Sequence, residues 1–512
     1  MQHYAFALQL FDHTDQIQVE ASITFQLKSA NSSSIWFDLV GKKSYLDIKG
    51  MTVKSVKWRE KPLVFSHQND RVTIQLPDNF PADNQTVTLF YEGTPADGLI
   101  ISKNKFGDRT FFGDNWPNRA RHWLSVVDHP SDKSTCEFTV TAPSSYKVIA
   151  NGKLAEESDL TEQRKLTRWV ENTPIPTKVM VIGVARFAVD YVGDTNCIPV
   201  ESWVYPQDRD KGFFDYRPAK AILEFFIQQI GPYSYEKLAN VESKTIFGGM
   251  ENASCIFYTE NAIKGYKSMD MEALLAHEIA HQYFGNSASE KDWRHIWLSE
   301  GFATYFSALY LEHAYGRDSL QKVLQQNKGT VFRYAKMNPN GAIVDTTTTN
   351  LMQLLNPNSY EKGGWVLHML REEVGNEAFW KGIRSYYGHF KNGNALSADF
   401  QKEMELASGK NLTTFFNQWL YQPGYPEIEW SWKYETATKT VSISVQQIQK
   451  NTFFTIPLEF RFENEVGKEL RKTEKLYLNQ PQQTFTIKLS EAPSKLIIDP
   501  NGNVLARTVL KK

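Results

Sequence analysis

The chain is poor in cysteine, with only Cys136, Cys197 and Cys255 in 512 residues. An odd number at wide spacing excludes a disulfide framework and a cysteine-built metal site, and three buried free thiols are expected. Net charge is also missing: 57 basic residues face 58 acidic ones, leaving −1 at neutral pH. Nothing in that balance steers the chain toward nucleic acid or an anionic membrane surface. No apolar run is long enough to span a bilayer. Internal repeats and low-complexity tracts are absent as well. The start, Met1-Gln2-His3, runs straight into strand-like sequence and reads without a secretory leader. The expected location is a soluble one, either the cytoplasm or outside the cell after removal of a leader. What remains is the composition of a globular protein, 41% hydrophobic and 22% charged. Aromatics at 13% suit extensive β-structure. The length fits about three domains.

The most informative segment is His277-Glu278-Ile279-Ala280-His281, followed after eighteen residues by Glu300. Histidines four apart project from one face of a helix and can reach one metal, whereas Glu278 points elsewhere. Met271, Leu275 and Ile279 form an apolar stripe on the same stretch, so the helix is expected in the core, with Gly285-Asn286 as its stop. Catalytic zinc takes three protein ligands and keeps one position open. Glu300, in Trp297-Leu298-Ser299-Glu300-Gly301, is well placed as the third.

Two further elements stand near this one. Gly248-Gly249-Met250-Glu251-Asn252 follows an extended stretch, Val241 to Phe247. Paired glycines allow close backbone approach, an extended substrate can add to such an edge, and a carboxylate there can fix a cation. By itself the pentapeptide also reads as an ordinary turn and strand. Ser359-Tyr360-Glu361-Lys362-Gly363 places Tyr360 at the first turn of a helix, its hydroxyl available to a cleft. In a chain with 23 tyrosines it reads equally as a packed side chain.

In this order and spacing the three elements resemble the aminopeptidase N family of zinc peptidases (gluzincins), which includes alanyl and leucyl aminopeptidases and the leukotriene hydrolases. Gln422-Pro423-Gly424-Tyr425-Pro426 is similar to the family's exit from its catalytic domain. The resemblance implies one Zn2+ held by His277, His281 and Glu300. It implies Glu278 as general base and Tyr360 as oxyanion stabiliser. It assigns Glu251 to the substrate α-ammonium, Gly248 and Gly249 to the substrate main chain, and Met250 to the border of the first side-chain pocket, with Asn252 beside it. The implied substrates are peptides with a free N-terminus, and a monomer is favoured.

Three departures from the family pattern are visible. Where the family sets a Gln or Glu near the α-amine, this chain has Phe112 to Arg121, with Trp116 nearest the position and Asp114 and Asn115 beside it. Where a Tyr-x-Glu often follows the third ligand, this chain has Tyr305-Phe306-Ser307. The large helical C-terminal domain of many members is expected to have no counterpart here. His122, His129, His295 and His368 are read as structural, and Arg119 and Arg121 as interdomain ion pairs.

Periodicity gives the organisation. Ile17 to Lys28 alternates apolar and polar without a break, and Val72–Leu76 and Thr86–Phe90 do the same. After Pro206 helical spacing takes over, as in Pro218–Ile230, and period two returns at Val441–Val445 and Thr484–Leu489. The expected fold is multidomain α+β. An all-β domain spans 1–190, a thermolysin-like α/β catalytic domain 191–423, and a β-sandwich 424–512. The leading function is a zinc aminopeptidase. The alternatives are a zinc endopeptidase or epoxide hydrolase using the same metal, or a catalytically silent scaffold.

Overall fold

The structure, a computed structural model, describes residues 1–29, 32–43, 49–450, 453–473 and 475–511. It has an all-β N-terminal region, a mixed α/β middle, a helical part and a β-rich C-terminal region. The chain divides into two compact units, one of residues 1–293 with 387–396, the other of 294–386 with 397–512.

In the first unit an eight-stranded sheet carries the alternating sequence. Ile17–Phe25 lies between His3–Gln9 and Gln85–Thr94, and Ile17, Val19, Ala21, Ile23 and Phe25 are all buried. A five-stranded sheet follows, in the order Ala188–Thr195, Ile198–Val204, Leu238–Ser243, Cys255–Thr259, Gly249–Met250. Its first strand runs across residue 190, so the β-rich region passes directly into it. Leu238–Ser243 is parallel to both neighbours, and Gly249–Met250 pairs antiparallel with Phe257 and Tyr258 at the sheet's end. The extended stretch read from Val241 is thus a strand only as far as Ser243. Beyond it the chain leaves the sheet and returns as the two-residue edge.

The helix Met269–His281 begins where the Ser268 hydroxyl accepts from the Met271 N–H. Met271, Leu275 and Ile279 are buried. The helix stops at His281, short of the expected Gly285-Asn286. The N–H groups of Gln282 and Tyr283 close tight turns onto Ile279 and Ala280 instead. Cys136 and Cys255 are buried free thiols, but Cys197 is exposed. It sits at a positive φ of 63° in the turn between Ala188–Thr195 and Ile198–Val204.

The second unit contains the helices Trp297–Tyr315, Arg317–Met337, Gly363–Val374 and Ser397–Ser408. Its β-rich end has a four-stranded sheet in which Val441, Ile443 and Val445 are buried. Phe485 of that sheet meets Phe460 of a three-stranded sheet at 5.7 Å, which packs the two layers as a sandwich. Among the described residues no helix is long and apolar enough to cross a membrane.

Candidate metal centre and substrate-binding edge

Four-residue spacing brings the His277 and His281 rings together, with their Nε2 atoms 3.1 Å apart. Two nitrogens held tetrahedrally at zinc's usual ~2.0–2.1 Å would lie roughly 3.3 Å apart, so the pair fits one zinc ion. His281 Nδ1 is 3.2 Å from the Phe284 carbonyl oxygen. A proton donated there fixes the tautomer that leaves Nε2 as the basic nitrogen. Glu278 is 4% exposed, and its carboxylate, that of Glu251 and a His281 ring nitrogen lie within 4.8 Å of one another. Gly249 explains part of this closeness. A Cβ built there would run into the Glu278 carboxylate, so glycine leaves that carboxylate its place.

Glu251 lies just past the edge strand and is 5% exposed. Its Oε1 is buried without a hydrogen-bond partner among the described residues. Such an oxygen is costly unless something donates to it, and an ammonium group would. The Glu251 backbone is held in place. Its carbonyl accepts from Gln282 Nε2 at 2.8 Å and from Asn286 Nδ2 at 2.5 Å, and Gln282 Oε1 accepts from the Ser254 N–H at 2.8 Å. Sequence reading missed Gln282 and Asn286. Their signal was their place, one and five residues after the second histidine, in chain that must pass beside the histidine pair. Both side-chain polar atoms of Asn252 are buried without a hydrogen-bond partner among the described residues. Met250 is buried opposite Phe257.

The Phe112–Arg121 loop is largely committed to structure. Asp114 pairs with Arg119 at 2.7 Å and accepts from Thr245 Oγ1 and the Ile246 N–H. Burial raises its carboxyl pKa, and Arg119 pulls it back down. Asn115 donates to the Thr177 and Met180 carbonyls and accepts from Trp123 Nε1. Trp116 is 2% exposed, with ring contacts to Phe247 and Trp293. Its Nε1 is buried without a partner among the described residues. Arg119 and Arg121 do form ion pairs, but with Asp97, Asp114, Asp38 and Asp128, all inside the N-terminal β-region rather than between domains.

In the second unit Glu300 is 3% exposed, in the first turn of Trp297–Tyr315. The next residue, Gly301, has room for no Cβ: one would lie 2.9 Å from the Gly363 backbone and 3.1 Å from the Ser359 carbonyl oxygen. The Glu300 helix is therefore pressed against the turn that carries Tyr360. That turn, Asn358–Lys362, is a π-helical turn rather than the expected first α-turn. The Lys362 N–H reaches back five residues to the Pro357 carbonyl. Ser307, at the position of the family's frequent carboxylate, spends its hydroxyl on the Thr304 carbonyl. The remaining histidines have structural surroundings. His368 Nδ1 lies 3.1 Å from the Tyr305 hydroxyl, and burial, with Arg317 and Arg371 adding, lowers its pKa to about 3. His295 meets Ser397 Oγ, and His129 meets Ser131 Oγ. Burial lowers the pKa of His122, and its Nδ1 has no partner among the described residues.

The fold defines a class, a multidomain α+β chain with an all-β N-terminal region, a mixed α/β middle and a β-rich C-terminal region. The family follows from two matching models. The Peptidase M1 N-terminal domain matches residues 1–179 and the Peptidase family M1 domain matches residues 214–419, so the chain belongs to the M1 peptidase family. The resemblance drawn from the motifs is thereby borne out. "Probable aminopeptidase 2" of Sulfurisphaera tokodaii is 28% identical, over 75% of this chain and 50% of its own length. Glutamyl aminopeptidase of Rattus norvegicus is 27% identical, over 64% of this chain and 36% of its own. Leucyl aminopeptidase of Saccharolobus solfataricus is 25% identical, over 84% and 56%. The chain thus spans about half the length of the curated relatives it matches, or less. Among solved structures, Legionella pneumophila aminopeptidase A in complex with aspartic acid superposes with a TM-score of 0.85 at 17% identity. The match covers all of this chain and 59% of that one, and shows a shared fold.

Proposed function

We propose that the chain is a zinc-dependent aminopeptidase that removes N-terminal residues from peptides. One observation carries the reading: a buried carboxylate oxygen on Glu251 that has no hydrogen-bond partner among the described residues, just past a sheet's edge strand, beside Glu278 and His281. An endopeptidase has no use for a lone carboxylate there, whereas a free α-ammonium supplies the missing donor.

In this reading His277, His281 and Glu300 hold the zinc. Relatives named as aminopeptidases, and a family that is generally zinc-dependent, support it. Zinc, when bound, supplies Lewis acidity, lowering the pKa of a water to about 7 and polarising the scissile carbonyl. Glu278 accepts the proton of the attacking water and returns it to the leaving amine. The Tyr360 hydroxyl donates to the oxyanion that develops. Glu251 fixes the amino terminus, so cleavage falls one residue along. Gly248 and Gly249 offer main-chain groups to the substrate, while Met250, Asn252 and Trp116 border it. The domain limits 1–190, 191–423 and 424–512 belong to the same proposal.

The test compares a free-amine peptide with its N-acetylated twin. The free-amine form is expected to be cleaved at least a hundredfold faster. Equal rates would establish an endopeptidase. No turnover of either, with zinc present, would favour the silent scaffold.

A further inference from the structure

We propose that Lys133 is a positioning residue for the α-amine site: it clamps the chain that follows the histidine helix, and through Asn286 that clamp sets where Glu251 sits. The proposal rests on the assignment of Glu251 to the substrate ammonium.

Lys133 opens the strand Lys133–Pro143 of the β-rich region. Its Nζ donates to three backbone carbonyls, Asn286 at 2.9 Å, Ser287 at 2.7 Å and Gly393 at 3.1 Å. An ammonium has three N–H donors, and all three are spent on this junction. Asn286 is the pivot. Its carbonyl is held by Lys133, and its own Nδ2 donates to the Glu251 carbonyl at 2.5 Å. Its N–H donates to the His281 carbonyl at 3.0 Å. A shift at Asn286 therefore moves Glu251 relative to the histidine pair, and misplacement by about 1 Å can cost on the order of a hundredfold.

A second lysine holds the other end of the same stretch. Lys178 Nζ contacts Glu290 Oε1 at 2.6 Å, with the two side chains 1% and 0% exposed. Ala288–Glu290 also pairs in register with Gly393–Ala395, the segment whose first carbonyl Lys133 takes. The short chain from the histidine helix to Glu290 is thus fixed at both ends by side chains of the β-rich region. Nothing else in the proposed chemistry requires a lysine at 133.

The experiment measures inhibition by two probes in wild type, Lys133→Met and Asn286→Ala. Leucine presents an α-ammonium, whereas acetohydroxamate is directed at the metal and has no amine. Lys133→Met is expected to raise the leucine Ki at least tenfold and to leave the acetohydroxamate Ki within twofold. Asn286→Ala, which keeps the clamp and cuts only its link to Glu251, is expected to give the same selective loss if Lys133→Met fails to fold. Values for both probes that rise together, or a leucine Ki unchanged in Asn286→Ala, would overturn the role of Lys133. A wild-type protein that hydrolyses no free-amine reporter would overturn the aminopeptidase reading itself.

Discussion

At the scale of single residues, three carboxylates and one phenol carry the proposed chemistry. Glu278→Gln removes the proton acceptor but no ligand. Turnover is expected to fall by about 10² to 10⁴, with the zinc content of purified protein unchanged by elemental analysis. Tyr360→Phe is expected to lower kcat by roughly 10² to 10³ and leave KM nearly untouched, which steady-state kinetics reads directly. A buried carboxylate away from the centre gives a pH prediction. Glu242 is pushed up to about 8, chiefly by burial, then by a hydrogen bond shared with Asp208, against the opposing Tyr205 N–H and Lys105. Its ordinary value is 4.5, so between those limits the folded chain binds more protons than the unfolded one. Stability supplied this way is fully present below pH 4.5 and is lost as pH rises from there through 8. Glu242→Gln should therefore flatten the fall in Tm between pH 5.5 and 8.5. An identical slope in the variant would remove Glu242 as its source.

At the scale of elements, the arrangement depends on backbone touching backbone. The Gly301–Gly363 contact joins the helix bearing Glu300 to the turn bearing Tyr360. Gly301→Ala places a methyl against backbone, which cannot swing aside as a side-chain tip can. The expected cost is about 1–3 kcal/mol in denaturant unfolding, with kcat reduced beyond what the stability loss explains. The elements also show what was legible beforehand. Strict alternation at Ile17–Phe25 and the apolar stripe at Met271, Leu275 and Ile279 report burial directly, so sheet and helix were readable. The π-turn at Asn358–Lys362 was not, because one hydrogen bond from Lys362 to Pro357 leaves no periodic trace. Nor was the spending of Asp114 and Asn115 on the Thr245 and Thr177 segments, since those contacts join residues more than sixty positions apart.

At the scale of the whole molecule, the sequence revealed the segment order because period two, helical spacing and period two succeed one another along the chain. The link between segments was hidden, for it runs through lysines and carbonyls that carry no motif. Metal dependence is the global test of the proposed centre. A strong chelator should abolish hydrolysis, added zinc should restore it, and the metal-free protein should melt at a lower temperature because the ion binds only the folded chain. Activity that survives exhaustive chelation, confirmed metal-free, would sink the assignment.

The turn at Asn196-Cys197 gives the chain something of practical use. With Cys136 and Cys255 enclosed, a maleimide dye added to native protein should couple once, and three times after denaturation. A single fluorophore or surface tether can then be installed at one known address without rewriting the sequence.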